Sequence, residues 1–408
     1  MRNYAQFIRD NRRLLAFGMF MTFFSSFGQT FLISLFVPSF DKGLGLSAAE
    51  FGGLYSLATL CSAGALPFVG RWIDDVPVRR YALGVAIGVG LGCLAMSAIQ
   101  TWWQLFACLL LLRLSGQGLC GHTASTTMAR NFSVNRGKAL SVSSTGFAIG
   151  EGALPAIVVT LIAAVGWRSV WTIQAACVAL ILVPAIIALL RHSDVDNHPR
   201  QSKAGDASDA AEKEWTRGHV LRDPRFYLLL PSILVLPIAV TGLIIHQASL
   251  AEFKGWTLET MAFGFVGFAI ARILSSLAIG PAIDRYGAAR IFPFLTLPMA
   301  LGMGVLLISD HVIAAGIYLA LTGLCLGMKG SATSSLWAEL YGVRHLGAIK
   351  SLGGSLAVFG TSLSPASFGW LLDRGLGFPA LLVGNIALIA IACVMSWLVC
   401  RTLERGHP

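Results

Sequence analysis

The sequence predicts an all-α membrane protein with about twelve transmembrane helices, and three observations lead there. Mean hydropathy is +0.72, with 55% hydrophobic and only 12% charged residues, about half the charge of a soluble domain. The apolar runs are long and unalternated, whereas barrel strands alternate apolar and polar residues over about ten positions. Hydrocarbon offers no partner to a free N–H or C=O, so helices are the remaining solution. Third, the basic residues fall in alternate connections, as the positive-inside rule requires of a polytopic chain.

A hydrocarbon core of about 30 Å needs roughly 20 helical residues. The first six predicted spans are Leu14–Phe40, Phe51–Ile73, Tyr81–Ile99, Trp102–Met128, Ala139–Val165 and Trp167–Leu190. The second six are Phe226–Leu250, Leu258–Ile283, Ile291–Ile308, Val312–Leu340, Gly347–Leu372 and Phe378–Leu398. Arg2, Arg9, Arg12 and Arg13 precede the first run. That run is too long for a signal peptide and lacks a small-residue cleavage site, so it is read as a retained helix.

Between the two sets lies Arg191–Arg225, with seven basic and seven acidic residues. Its polar, small-residue middle cannot pack a core. The predicted organisation is therefore a bundle over residues 1–190, a connector over 191–225 and a second bundle over 226–408. The termini, the connector and one set of loops hold 23 of the 30 basic residues; the opposite loops hold only Lys42, Arg168, Lys254 and Arg374. Both termini and the connector are thus expected on the cytoplasmic side of a cell (inner or plasma) membrane. The net charge of +10 is a topology signal in this distribution, not a nucleic-acid footprint. The eight cysteines lie in or at the ends of apolar runs without CxxC or Cys/His spacing, and are read as small buried side chains. No metal, cofactor or catalytic Ser/His/Asp set is expected.

The halves repeat. Gly70-x3-Asp74 follows the second span and Gly280-x3-Asp284 the eighth, 210 residues on; Pro155 and Pro365 share that offset. GPAIDRYGAAR, with Gly280, Asp284, Arg285, Gly287 and Arg290, resembles the loop signature G-x-x-x-D-R-x-G-x-x-R of the major facilitator superfamily. GRWIDDVPVRR, from Gly70, is a degenerate copy with Asp75 and Pro77 in place of a basic residue and a glycine. The glycines suit close helix approach. The aspartates suit a helix N-terminus of the other half, the alternative being a solvated turn. The resemblance implies two pseudo-symmetric six-helix bundles with spans one, four, seven and ten lining a central cavity. It also implies a transporter, not an enzyme.

Asn131-Phe132-Ser133-Val134-Asn135-Arg136-Gly137-Lys138-Ala139-Leu140, then Gly146, Gly150, Pro155 and Gly166-Trp167-Arg168, resemble the monocarboxylate and oxalate/formate branch of that superfamily. Arg272 matches the arginine with which that branch holds a carboxylate. The chain departs from the branch at Phe268, where many animal members have an aspartate. It also has no lysine in the first span and no basic residue deep in the eleventh.

Charge within a span costs about 2.5–3.5 kcal/mol on insertion scales, which makes Arg272, Arg113, Lys329 and Glu151 functional candidates. Arg272 is near the middle of the eighth span, and its planar fork can grip a carboxylate with two bonds; the alternative is a structural arginine on backbone carbonyls. Arg113 and Glu151 lie at similar depth, within roughly 5 Å by helical rise. Their pairing would be either a proton switch, with Glu151 as proton carrier, or a static ion pair. Lys329 assists the substrate or snorkels to the interface. Gln29, Gln117 and Tyr318 are candidate cavity liners. His246 and His122 either titrate or pack through a hydrogen bond. The resulting expectation is a proton-driven monomeric transporter of a small carboxylate, in a lipid bilayer, by alternating access. Its rival is a proton-driven exporter of drug-like molecules, since Arg113 also resembles the span-four arginine of such exporters. A transporter-like sensor that moves nothing is the third reading.

Overall fold

The computed structural model describes residues 2–132, 135–191, 215–342 and 346–406. Among them there is no strand. Ten helices are long and apolar enough to cross a membrane, and a bent pair adds an eleventh crossing. In chain order, span one is Arg12–Gly28 plus Thr30–Leu44, bent by 44°. Spans two to six are Ala48–Gly70, Val78–Ser97, Trp102–Asn131, Gly137–Val165 and Trp167–Leu189. Spans seven to ten are Pro224–Ile245, Leu258–Tyr286, Ala288–Ile308 and Ile313–Tyr341, and span twelve is Phe378–Thr402. The helix Leu346–Asp373 stands where span eleven was expected. Residues 192–214 of the expected connector lie outside the described residues, as do Ser133, Val134, Arg344 and the side chain of Asp74.

Helix ends follow local chemistry. Asp223 caps span seven, accepting the Arg225 amide at 3.0 Å with Pro224 in the first turn. Gln104 Oε1 accepts the amides of Gln100 and Thr101 at the start of span four. Span five ends at Gly166 (φ 78°) and span eight at Gly287 (φ 79°), left-handed positions that favour glycine.

The chain forms two compact units: Met1–Leu46 with Leu57–Gly205, and Ser47–Ser56 with Asp206–Pro408. In lipid, helices associate by close packing and interhelical bonds, because burying apolar surface gains nothing against hydrocarbon. In the first unit span five lies against span one. A Cβ on Gly146 would stand 2.1 Å from the Met19 carbonyl, and one on Gly150 would stand 2.2 Å from Ser26 Oγ. Thr22 Oγ1 adds a bond to the Ser143 carbonyl at 2.6 Å.

In the second unit spans eight and ten touch backbone to backbone at Gly323 against Phe268 and Gly327 against Arg272. Ser47–Ser56 belongs to this unit through Asp373, which accepts the Ala49 amide at 3.0 Å, and Ser56, which accepts the Ala366 amide at 3.2 Å. One end of the unit is closed by a core of Phe226, Ile279, Ala288, Phe292, Trp337 and Tyr341.

Candidate functional site

Span one was expected as one continuous helix and is broken. Ser25–Gly28 tightens into a 3₁₀ turn and Gln29 is extended (φ −87°, ψ 151°). Ser25 Oγ competes for the Thr22 carbonyl at 2.6 Å, the local bonding by which serine weakens a helix. The break lies on span four. A Cβ on Gly28 would stand 2.1 Å from the Leu112 carbonyl and one on Gly116 2.9 Å from Gly28 Cα. Opposite the break, Arg113–Cys120 winds as a π-helix, a rare conformation that marks functional sites.

Arg113 fastens this junction. Past the break the Leu32 amide bonds the Gln29 carbonyl, and the Gly28 carbonyl accepts from Arg113 Nη1 at 3.2 Å. Nη1 also reaches Thr30 Oγ1 at 3.4 Å, and Nε donates to Thr59 Oγ1 in span two at 3.1 Å. Arg113 is 3% exposed and Glu151 5%. Glu151 follows Gly150, which packs on Ser26 at the same break, and Gln117 presents its backbone amide to Gly28. The structure therefore gathers Gln29, Arg113, Gln117 and Glu151 around one interruption.

In the second unit span seven stays one continuous helix, but its hydrogen-bond ladder is interrupted at Pro231 and Pro237. A proline has no N–H, so the carbonyl four residues earlier loses its helical partner. For Pro237 that carbonyl is Ile233, and Lys329 Nζ of span ten donates to it. Arg272, partly buried, is on the helix that Gly327 meets, and Lys329 is two residues on, roughly 3 Å along the axis. Tyr318 is buried where span nine meets span ten, and its backbone faces Gly302. His246, also buried, donates from Nε2 to the Pro365 carbonyl at 3.0 Å. His122 does the same to Gly70 at 3.1 Å. Both histidines thus have the hydrogen-bonded packing arrangement.

At the loop motifs the structure departs from the reading. Among the described residues nothing lies within 4 Å of a Cβ on Gly280. Gly287 is required by its positive φ, and Pro77 stands at the matching position of the first copy with φ −49°. The helix N-terminus after Gly287 is occupied by Glu339 of span ten, which accepts the amides of Ala288 and Ala289 at 2.7 and 3.0 Å. Asp284 and Arg290 are exposed, and Arg285 stacks on Tyr286 at 5.2 Å. In the first copy, carbonyls at and just after the end of span two are held by side chains: Val69 by Tyr81 Oη at 3.2 Å, Gly70 by His122 and Ile73 by Arg130 Nη1 at 3.1 Å.

A sequence profile described as the Major Facilitator Superfamily matches residues 18–271. The chain belongs to that superfamily. It is similar to a phosphoglycerate transporter protein of Salmonella typhimurium, 25% identical over 91% of this chain and 86% of that one. It is also similar to the 4-hydroxybenzoate transporter PcaK of Pseudomonas putida (26%, 90% and 87%) and to multidrug resistance protein 2 of Bacillus subtilis (20%, 90% and 90%). Among solved structures it resembles a bacterial homologue of the human lysosomal transporter Spinster, inward-facing and occupied. The TM-score is 0.72 at 15% identity over 98% of both chains. This facilitator is thus an integral membrane transporter and not an enzyme.

Sequence reasoning missed four parts of the facilitator's polar framework: Thr30, Thr59, Glu339 and the Pro237–Ile233 pair. Proline in a predicted span was the available signal for the last. The threonines gave none, because a hydroxyl in an apolar run ordinarily bonds its own helix.

Proposed function

We propose that this facilitator moves a small organic anion, most economically a monocarboxylate, coupled to protons by alternating access. The observation that carries the reading is that two cations, Arg272 and Lys329, lie at similar depth on spans eight and ten, which touch backbone to backbone at Gly327. A guanidinium grips a carboxylate with two parallel bonds and an ammonium adds a third donor. Two relatives support the class, since phosphoglycerate and 4-hydroxybenzoate are both carboxylates. Arg113 is the alternative assisting cation, and Glu151, buried near the span-one break, carries the proton. The energy source is the proton gradient, and both termini are cytoplasmic.

A second reading, proton-driven export of drug-like molecules, draws on Arg113 in span four and on the relative named for multidrug resistance. A thermal-shift screen of purified protein separates the two. Ligands that bind only the folded state raise its midpoint by mass action. Stabilisation by monocarboxylates supports the proposal; stabilisation by lipophilic cations alone supports the second reading.

A further inference from the structure

We infer that Lys329 is a positioning residue that clasps span seven at its Pro237 interruption, and that the substrate carboxylate opens this clasp by drawing Lys329 from the Ile233 carbonyl. The second half of the inference rests on the organic-anion reading above; the first half does not.

The clasp stands on three placements. Pro237 cannot donate to Ile233, whose residue is buried, and a carbonyl without a partner is costly in a bilayer. Lys329 supplies the missing donor from span ten. The parts of span seven on either side are tied to different neighbours. Before the interruption, Ser232 Oγ donates to the Ala392 carbonyl of span twelve at 2.6 Å. After it, the Ile238 carbonyl accepts from Ser364 Oγ of span eleven at 2.6 Å, and His246 donates to Pro365 of the same helix. Lys329 therefore bridges the joint between two separately anchored segments.

A carboxylate held by Arg272 offers Lys329 a charged acceptor. An ammonium–carboxylate bond adds the attraction of opposite charges to the hydrogen bond, which a neutral carbonyl does not offer. Transfer of the Lys329 donor to the anion leaves Ile233 without its partner and frees the two segments to change their mutual tilt about Pro237. Substrate arrival is thereby converted into bending of span seven.

Pro237→Ala supplies the absent N–H and tests both halves. Lys329→Met lowers the thermal midpoint of the purified parent protein, because the Ile233 carbonyl is abandoned. In the Pro237→Ala background the same change costs little, because the helix already satisfies that carbonyl. If Lys329→Met alone cannot be purified, recovery of monodisperse Pro237→Ala/Lys329→Met protein reports the same rescue. Equal losses in both backgrounds, or no rescue, overturn the clasp.

Binding of benzoate or 4-hydroxybenzoate by calorimetry tests the opening. Pro237→Ala tightens binding roughly three- to ten-fold, since Ile233 no longer competes for Lys329, while proteoliposome turnover falls. A parent that binds the carboxylate with affinity unchanged by Pro237→Ala overturns the opening step. A parent that binds neither acid nor any other carboxylate of a broader panel overturns the anion reading, and the opening with it, while the stability result still decides the clasp.

Discussion

Glu339, close to the end of span ten, accepts the backbone amides of both Ala288 and Ala289, at 2.7 and 3.0 Å. The carboxylate caps a helix that starts directly after the Gly287 turn, and its charge complements the partial positive end of that helix. Arg130 is its counterpart in the first unit, a cation on the Ile73 carbonyl near a helix C-terminus. Each motif loop is thus fixed by a charge from the fourth helix of its own unit. Glu339→Ala is expected to lower stability by about 0.5–2 kcal/mol, the range for a lost N-terminal cap. Glu339→Gln should lose less. Thermal unfolding of the purified protein checks both.

Gly28 and Gly116 bring the broken span one and the π-helical stretch of span four into backbone contact. Gly28→Ala would place a methyl group 2.1 Å from the Leu112 carbonyl, so the helices must separate. Overpacking of this kind costs about 1–3 kcal/mol and at times more. Gly84→Ala, where nothing among the described residues lies within 4 Å, is the matched control. Size-exclusion profiles should show aggregation or low yield for Gly28→Ala and parental behaviour for Gly84→Ala.

The twelve-helix architecture was legible because hydropathy and loop charge depend on composition averaged over some twenty residues. The cations Arg113, Arg272 and Lys329 were legible for the same reason, each being conspicuous in an apolar run. Their partners were not. Gly28, Thr30 and Thr59 reach Arg113 from two other helices, and no periodicity encodes which hydroxyl faces a neighbour. The break at Gln29 combines the local Ser25 bond with the packing of Gly28 on span four, and the second of these is not encoded in the local sequence. Glu339 was passed over because an acid at a span end ordinarily denotes a solvated terminus.

Thr59→Val removes the acceptor of Arg113 Nε, 3.1 Å away, while keeping the shape of the side chain. A hydrogen bond to a charged group contributes about 1.5–3 kcal/mol. The expected outcome is a loss of that order in stability together with reduced transport, since Arg113 keeps its Nη1 bonds at the span-one break but loses the Nε bond to span two. Parental melting and uptake would show that Thr59 does not position Arg113.

The segment between residues 191 and 225 carries seven basic residues and is expected on the cytoplasmic side. A cysteine introduced at Ser208, with the native cysteines replaced, should resist an impermeant thiol reagent in intact cells and react after permeabilisation. Reaction in intact cells would invert the topology.

Asp284 sits in the complete loop motif, and Asp75 fills a position where the motif has a basic residue. Asp284→Asn is therefore expected to slow transport more than Asp75→Asn. Initial uptake rates at matched expression compare them directly.

The most direct test of the anion-transport account is uptake of labelled benzoate or 4-hydroxybenzoate into proteoliposomes under an imposed proton gradient, for the parent and for Arg272→Lys. Lysine keeps the charge but loses the planar fork, and losing one of two charge-assisted bonds weakens binding roughly ten- to a hundred-fold. The account predicts saturable, gradient-dependent accumulation by the parent and its loss in monodisperse Arg272→Lys protein. Accumulation by that variant equal to the parent's would contradict Arg272 as the carboxylate site. No accumulation of these or other carboxylates by the active parent would contradict anion transport itself.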